Sequence, residues 1–235
     1  MKDPTLRRLA ALLAPTLTLA ACAPLPKAGT ALTEQERADA QKNCVAQYTA
    51  LGVVGGTLLG LLTSSKDDRV KGAAIGAAAG GALAWSIAWG KCLKYYSDVR
   101  SFPVADARQT ATSTGWVASR GNEVRIQSFE VNPSTLAPGG RLGLAGSYYV
   151  MGADGQKDIK VVETRTVHYF NPETKAWQEL GHEDTPITAA LGTRRSEGHT
   201  GMPREVAEGR YRVTFKVAAL GREDQAAREV VIKKG

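Results

Sequence analysis

Histidine, cysteine and aromatic side chains are scarce in this chain: three histidines, three cysteines and 6% aromatics among 235 residues. Each shortage narrows the chemistry. Of the histidines (His168, His182 and His199), His168 lies between Val167 and Tyr169 in a strand-like stretch and reads as a sheet-packing residue. His182-Glu183-Asp184 is the only local cluster of titratable groups, and it reads as an exposed loop rather than a cation site. No His or second Cys stands at ligand spacing beside Cys44 or Cys92, which argues against a metal centre. No nucleophile elbow, phosphate loop or zincin motif occurs. The glycine-rich runs at 52–60 and 72–81 lack a following Lys-Ser/Thr and sit in apolar segments, so they are not phosphate cradles. No cluster of Lys and Arg interleaved with aromatics points to nucleic acid. The expectation is a protein with no catalytic residues, no metal and no enzymatic activity.

What is present is sharply segregated. Residues 50–90 are nearly all Gly, Ala, Leu, Val, Ile and Trp, while polar and apolar residues mix from about 120 onward. A chain so divided reads as two small domains. The net charge is +7, of which Lys2, Arg7 and Arg8 against Asp3 account for +2, leaving +5 on the remainder. That balance favours anionic lipid or other acidic envelope polymers, with ordinary solubility charge an equal reading.

Residues 1–21 read as an export signal: a basic start, a short apolar core from Leu9 to Leu19 interrupted by Pro15, then Ala20 and Ala21. The apolar core is too short to span a bilayer. Leu19-Ala20-Ala21-Cys22 resembles the bacterial lipobox. That resemblance implies cleavage just before Cys22 and covalent lipid, palmitate included, on Cys22. A plain secretory signal is the alternative. Ala23, rather than Asp, follows the cysteine, which in Gram-negative lipoproteins implies sorting to the outer membrane. With Cys22 assigned to processing, Cys44 and Cys92 remain as an even pair, and an exported, oxidising compartment makes them a disulfide.

Residues 22–33, with Pro24, Pro26 and Gly29, read as a tether. Thr33 with Glu36 matches a capping box and predicts a helix start. Two apolar segments follow, separated by the charged run Ser64 to Lys71. Gly52, Gly56 and Gly60 form one small-residue ladder, and Gly72, Gly76 and Gly80 form another; a spacing of four places each on one helix face. Folding the chain back at residue 68 brings Gly56 level with Gly80, Gly60 level with Gly76, and Cys44 level with Cys92. Each apolar segment spans about 19 residues, or ~28 Å, close to the hydrocarbon thickness. Leu58, Leu59, Leu61, Leu62, Ile75 and Leu83 would then face lipid or other copies. Tyr48, Trp85, Trp89, Tyr95 and Tyr96 would form an interfacial belt at the cysteine-bearing end. The expectation for residues 34–96 is an antiparallel helical hairpin packed through its glycines in a membrane. The alternatives are a Gly/Ala-rich hairpin buried in a soluble protein, or low-complexity sequence.

The runs Gly52-Val53-Val54-Gly55-Gly56 and Gly72 to Gly80, with the lipobox upstream, resemble the glycine-zipper, two-transmembrane lipoproteins of the SlyB and rickettsial surface-antigen type. The resemblance covers residues 19–96. It implies an outer-membrane lipoprotein that self-associates or surrounds other envelope proteins.

Residues 97–121, rich in Thr and Ser around Pro103 and Gly115, read as a linker. From Glu123 the pattern changes to period two. Val124 and Ile126, Leu142 and Leu144, and Ile159 and Val161 begin strands. Tyr211, Val213, Phe215 and Val217 alternate most cleanly with Arg212, Thr214 and Lys216. Turn signals fall at Pro138-Gly139-Gly140, Ala153-Asp154-Gly155, Asn171-Pro172 and Gly221. Roughly seven strands in about 110 residues predict an antiparallel sandwich over 122–235. Glu208-Gly209-Arg210-Tyr211 resembles the tyrosine corner of immunoglobulin-like domains, with Val213 where a second cysteine is usual; any antiparallel barrel with a Gly turn before a strand is the alternative.

The fold class expected is therefore α + β in two domains: an N-terminal glycine-zipper hairpin and a C-terminal Ig-like antiparallel β-sandwich. The function expected is a non-enzymatic outer-membrane lipoprotein with a periplasmic interaction module and no cofactor beyond the lipid on Cys22. Its expected partners are the membrane, further copies of itself, outer-membrane or periplasmic proteins and anionic envelope polymers, not nucleic acid. The competing reading is an accessory or assembly factor of an envelope secretion machine with the hairpin as anchor only. A pore-forming zipper is poorly supported, because the zipper faces carry no ionisable residue.

Overall fold

Strand alternation dominates the structure, a computed structural model that describes residues 32–63, 80–155 and 157–235. Helix α1 (Glu34–Thr63) is followed by α2 (Gly80–Lys91), the short α3 (Leu93–Tyr96), β1 (Arg100–Asp106) and α4 (Ala107–Thr114). After a 3-10 turn at Ala118–Arg120 come β2 (Glu123–Asn132), β3 (Thr135–Leu136), β4 (Arg141–Met151) and β5 (Ile159–Asn171). The chain continues through β6 (Ala176–Ala189), β7 (Gly192–Gly201), β8 (Gly209–Ala219) and β9 (Arg222–Ile232). One sheet runs β1-β7-β4-β2 and the other β3-β9-β8-β5-β6. Pairing is antiparallel except between β3 and β9.

The two sheets meet face to face through alternate residues. Tyr211, Val213, Phe215 and Val217 of β8 are buried, as are Val161 and Val167 of β5 and Leu142, Leu144 and Tyr148 of β4. Phe215 sits at the centre. It stacks on Phe129 of β2 at 5.4 Å and lies 6.1 Å from the Tyr148 ring. A Cβ on Gly146 would stand 2.7 Å from the Phe215 ring, so the glycine makes room for that ring between the sheets.

Helix α1 starts at the expected capping box. Thr33 N donates to Glu36 Oε2 (2.9 Å) and Glu36 N to Thr33 Oγ1 (3.3 Å), satisfying two of the free N–H groups of a helix start. Its first turns are held by Arg37 Nη1 on Ser97 O (3.2 Å) and Gln41 Nε2 on Tyr95 O (2.8 Å). Cys44 and Cys92 form a disulfide, enclosed by Ala40, Val45, Ala88 and Tyr95.

The expected membrane hairpin and two-domain α + β arrangement give way here to a predominantly β-sheet body of two sheets, with helices built against it. Among the described residues no helix is long and apolar enough to cross a membrane. Helix α2 is occupied by the sheets. Trp89 and Leu93 belong to the core between them, and Leu83 and Ile87 pack against it. Trp89 Nε1 donates to Gly201 O at 2.9 Å. In the hairpin expected from the sequence, Trp89 belongs to the interfacial belt and Leu83 to the lipid-facing surface, and both would be exposed to the bilayer. The small residues serve other contacts. Added Cβ atoms on Gly90 and Gly181 would lie 2.6 Å from Leu180 C and 2.2 Å from Gly90 O, so α2 meets β6 backbone to backbone. Ala88 instead faces the disulfide cluster. Of the proposed ladders, Gly52, Gly56 and Gly60 lie within α1 and Gly80 opens α2, while Gly72 and Gly76 lie outside the described residues.

The stretch read as a linker is structured as well. β1 pairs with β7 from Arg100↔Glu197 to Asp106↔Gly192. Asp106 and Gln109 form a second capping box at the start of α4, which ends at Gly115 with φ 67°. The buried Thr110 hydroxyl meets Thr193 Oγ1 at 2.9 Å.

Candidate interaction surface

Two arginine–glutamate constellations stand out, one between the sheets and one outside. Alternation along β5 turns Glu163 and Arg165 inward with Val161 and Val167, leaving Glu163 fully buried and Arg165 5% exposed. The Glu163 carboxylate is surrounded by donors. Tyr148 Oη donates to Oε1 at 2.7 Å, and Arg165 Nη2 and Ser196 Oγ donate to Oε2 at 2.6 and 2.8 Å. Arg165 also bonds Ser196 and, through Nη1, Thr185 Oγ1 at 3.3 Å. Its guanidinium lies 5.5 Å from the centre of the Phe215 ring. Burial, then the Glu163 charge, push the Tyr148 phenol well above its ordinary range. The carboxylate is thus committed on both oxygens and bridges β5 of one sheet to β4 and β7 of the other. A buried pair this well satisfied fixes how the sheets face each other, whatever its net contribution to stability.

Beside it a narrow cleft opens under α2, lined by Trp89, Leu93, Leu144, Val213, Arg165 and Glu183. Burial raises the Glu183 carboxyl, and nearby Arg165, a Ser97 hydrogen bond and Lys94 oppose that rise. His182, Glu183 and Asp184 do not converge. Glu183 faces the cleft, His182 Nδ1 meets Glu179 Oε1 at 2.9 Å, and Asp184 accepts from Thr164 Oγ1 at 2.7 Å. Among the described residues no three His, Cys, Asp or Glu side chains are grouped to hold a metal ion.

The second constellation lies on the outer face of the five-stranded sheet. Tyr211 points inward, so its neighbours Arg210 and Arg212 point out, where both reach Glu229 of β9 at 2.7 and 2.9 Å. Arg212 lies 3.9 Å from the centre of the Trp177 ring, and Arg210 lies 4.9 Å from that of Phe170. Phe170 and Trp177 meet edge to face at 5.3 Å. Hydrogen bonds from Arg210 and Arg212 hold the Glu229 carboxyl below its ordinary range. The arginine side chains are 52% and 34% exposed. His168 pairs with Arg212 across this face, and its Nδ1 is buried with no partner among the described residues.

The sheet edges are guarded. β1 carries Pro103 and a bulge, β2 a bulge after Ile126, β6 Pro186 and a bulge opposite Val167/His168, and β3 has only two residues. Proline and bulges on edges disfavour an added strand, which leaves the faces as the surfaces on which a partner can sit.

Cys22, the expected lipid site, lies outside the described residues; Cys44 and Cys92 are joined. Neither arginine–glutamate constellation follows from sequence motifs. The signal that was there is positional: Glu163 and Arg165 occupy inward places in the period of β5, and Arg210 and Arg212 flank the inward Tyr211.

No family model matches the chain, and no curated protein matches it. Among solved structures it is similar to the Pseudomonas fluorescens alkylpurine DNA glycosylase AlkC bound to abasic-site DNA, with TM-score 0.39 and 13% identity over 88% of this chain and 49% of that one. It is also similar to the Bacillus subtilis sporulation control protein Spo0M, with TM-score 0.33 and 9% identity over 48% of this chain and 50% of that one. A CARDB domain from Pyrococcus furiosus, in complex with di-metal ions, gives TM-score 0.32 and 10% identity over 48% of this chain and 90% of that one. The chain thus spans about half the length of the first two. At such scores these structures assign neither family nor function.

Proposed function

We propose that the chain is a non-enzymatic, lipid-anchored protein of the bacterial outer membrane whose two-sheet body serves as a periplasmic interaction module. The observation that carries this reading is the buried Cys44–Cys92 disulfide. Structural disulfides belong to oxidising compartments, which agrees with an export signal ending in Leu19-Ala20-Ala21-Cys22. The bond also ties α1 to the turn that directly follows α2, the helix inserted in the sheet core, so an anchor on Cys22 would hold the whole body at a membrane. A tether of about ten residues reaches at most ~33–36 Å, which keeps the body close to the bilayer. The polar groups between the sheets are engaged with one another, and the exposed arginine–aromatic face supports recognition rather than turnover. The test is labelling with radioactive palmitate followed by membrane fractionation, comparing the parent chain with Cys22→Ser. The parent is expected to carry label in the outer membrane, and the variant to lose label and remain as precursor in the inner membrane. Label and outer-membrane location persisting in Cys22→Ser would refute the reading.

A further inference from the structure

We propose that the outer face of the five-stranded sheet, at its Phe170–Trp177 end, is a contact surface for anionic lipid headgroups. The proposal rests on the lipid-anchored reading for its cellular setting but not for its test. Three observations lead to it. The first is chemical. Arg210 and Arg212 carry planar, exposed guanidinium groups against the rings of Phe170 and Trp177, and Val231, paired with Arg210, is 39% exposed. Cations beside half-buried aromatic rings match a bilayer interface, where indole and phenyl rings sit at headgroup depth and arginines bind phosphate in pairs.

The second observation is electrostatic. At this end Lys175, Lys233 and Lys234 with Arg210 and Arg212 make five cations against the four carboxylates Glu173, Glu179, Glu208 and Glu229, while Arg204 and Glu205 cancel, so the end remains positive by one. That sign complements phosphatidylglycerol-type headgroups and not the zwitterionic ones.

The third is the position of the face. Tyr211, between the two arginines, turns its hydroxyl to Ser86 Oγ of α2 at 2.9 Å and to Ala207 O at 2.7 Å. The second bond is the one a tyrosine corner makes. Ser86 Oγ accepts from Ala207 N at 2.9 Å as well. The arginines on either side of Tyr211 therefore point away from α2, which leaves the outer face uncovered by that helix.

The experiment uses residues 22–235 exported behind an ordinary secretory leader with Cys22→Ser, so no acyl chain is present. Sedimentation is measured with vesicles of equimolar phosphatidylglycerol and phosphatidylcholine, and with phosphatidylcholine alone. Binding to the anionic vesicles is expected to exceed binding to the neutral ones and to weaken with salt. Arg210→Ala and Arg212→Ala should each lower the partition coefficient about fivefold at low salt, and Trp177→Ala should lower it further. Glu229→Gln should raise it, because both guanidinium groups lose their internal counter-ion. Equal binding to both vesicle types, unchanged binding in the arginine variants, or binding transferred to a soluble acidic polysaccharide or inorganic phosphate would overturn the proposal. Since the chain tested is unlipidated, loss of palmitate labelling in the earlier test and loss of headgroup binding here are separate failures.

Discussion

Glu163 and Glu229 are both held by arginine, yet they sit in opposite settings. Glu163 is fully buried and takes donors from Tyr148, Arg165 and Ser196. Glu229 lies on the outer sheet face, bound only by two half-exposed arginines. In low dielectric a charge pair is strong but costly to desolvate, so removing one partner strands the other. In water the same pair is screened and contributes little. The inner constellation is consequently a fixture of the fold. The outer one is held loosely enough for its arginines to exchange an internal carboxylate for an external anion.

The largest expected effect comes from Glu163→Ala, which leaves the Arg165 guanidinium buried without its counter-ion. A loss of about 3–5 kcal/mol in urea unfolding is expected. Tyr148→Phe is the milder form, removing one donor and costing about 1–3 kcal/mol. Both variants should retain vesicle binding at temperatures where they remain folded. Indifference of stability to Glu163→Ala would dissolve the comparison.

Glu229→Gln should change stability by less than about 1 kcal/mol, and its pH dependence has a definite sign. Hydrogen bonds from the two arginines hold the folded carboxyl below the ordinary carboxylate range, so the contribution is present above that range and is lost as pH falls through the folded pKa. Unfolding of the parent and of Glu229→Gln should differ slightly at neutral pH and converge in acid. A difference that grows in acid would contradict the assignment.

The strands of the sheets were legible where apolar period two was clean. Tyr211, Val213, Phe215 and Val217 are the inward residues of β8, as their alternation indicates. The Thr33–Glu36 box and the pairing of the two cysteines were legible too, because each follows from local chemistry or from elimination. The inner constellation was not, since a pattern built on apolar residues passes over a charged pair at inward positions such as Glu163 and Arg165. The Asp106–Gln109 box was hidden in a Thr-rich stretch that resembles a linker by composition. The small residues misled for a different reason. Spacing along a helix shows that close approach is wanted, but not by what. For Gly90 the partner is the backbone at Leu180 and Gly181 on β6, a contact between segments far apart in the chain. Leu83, Ile87 and Trp89 are apolar enough for lipid, yet they pack against or within the sheet core.

That placement of α2 is the claim on which the rest depends, and amide hydrogen exchange tests it most directly. If α2 is built into the sheet core, the amides of residues 84–90 should open only with those of residues 211–217 in β8, at the free energy of global unfolding. If instead the α2 amides exchange through an opening of their own while β8 stays protected, the helix belongs to a separate unit, and the account of one body held at the membrane through α1 and α2 is wrong.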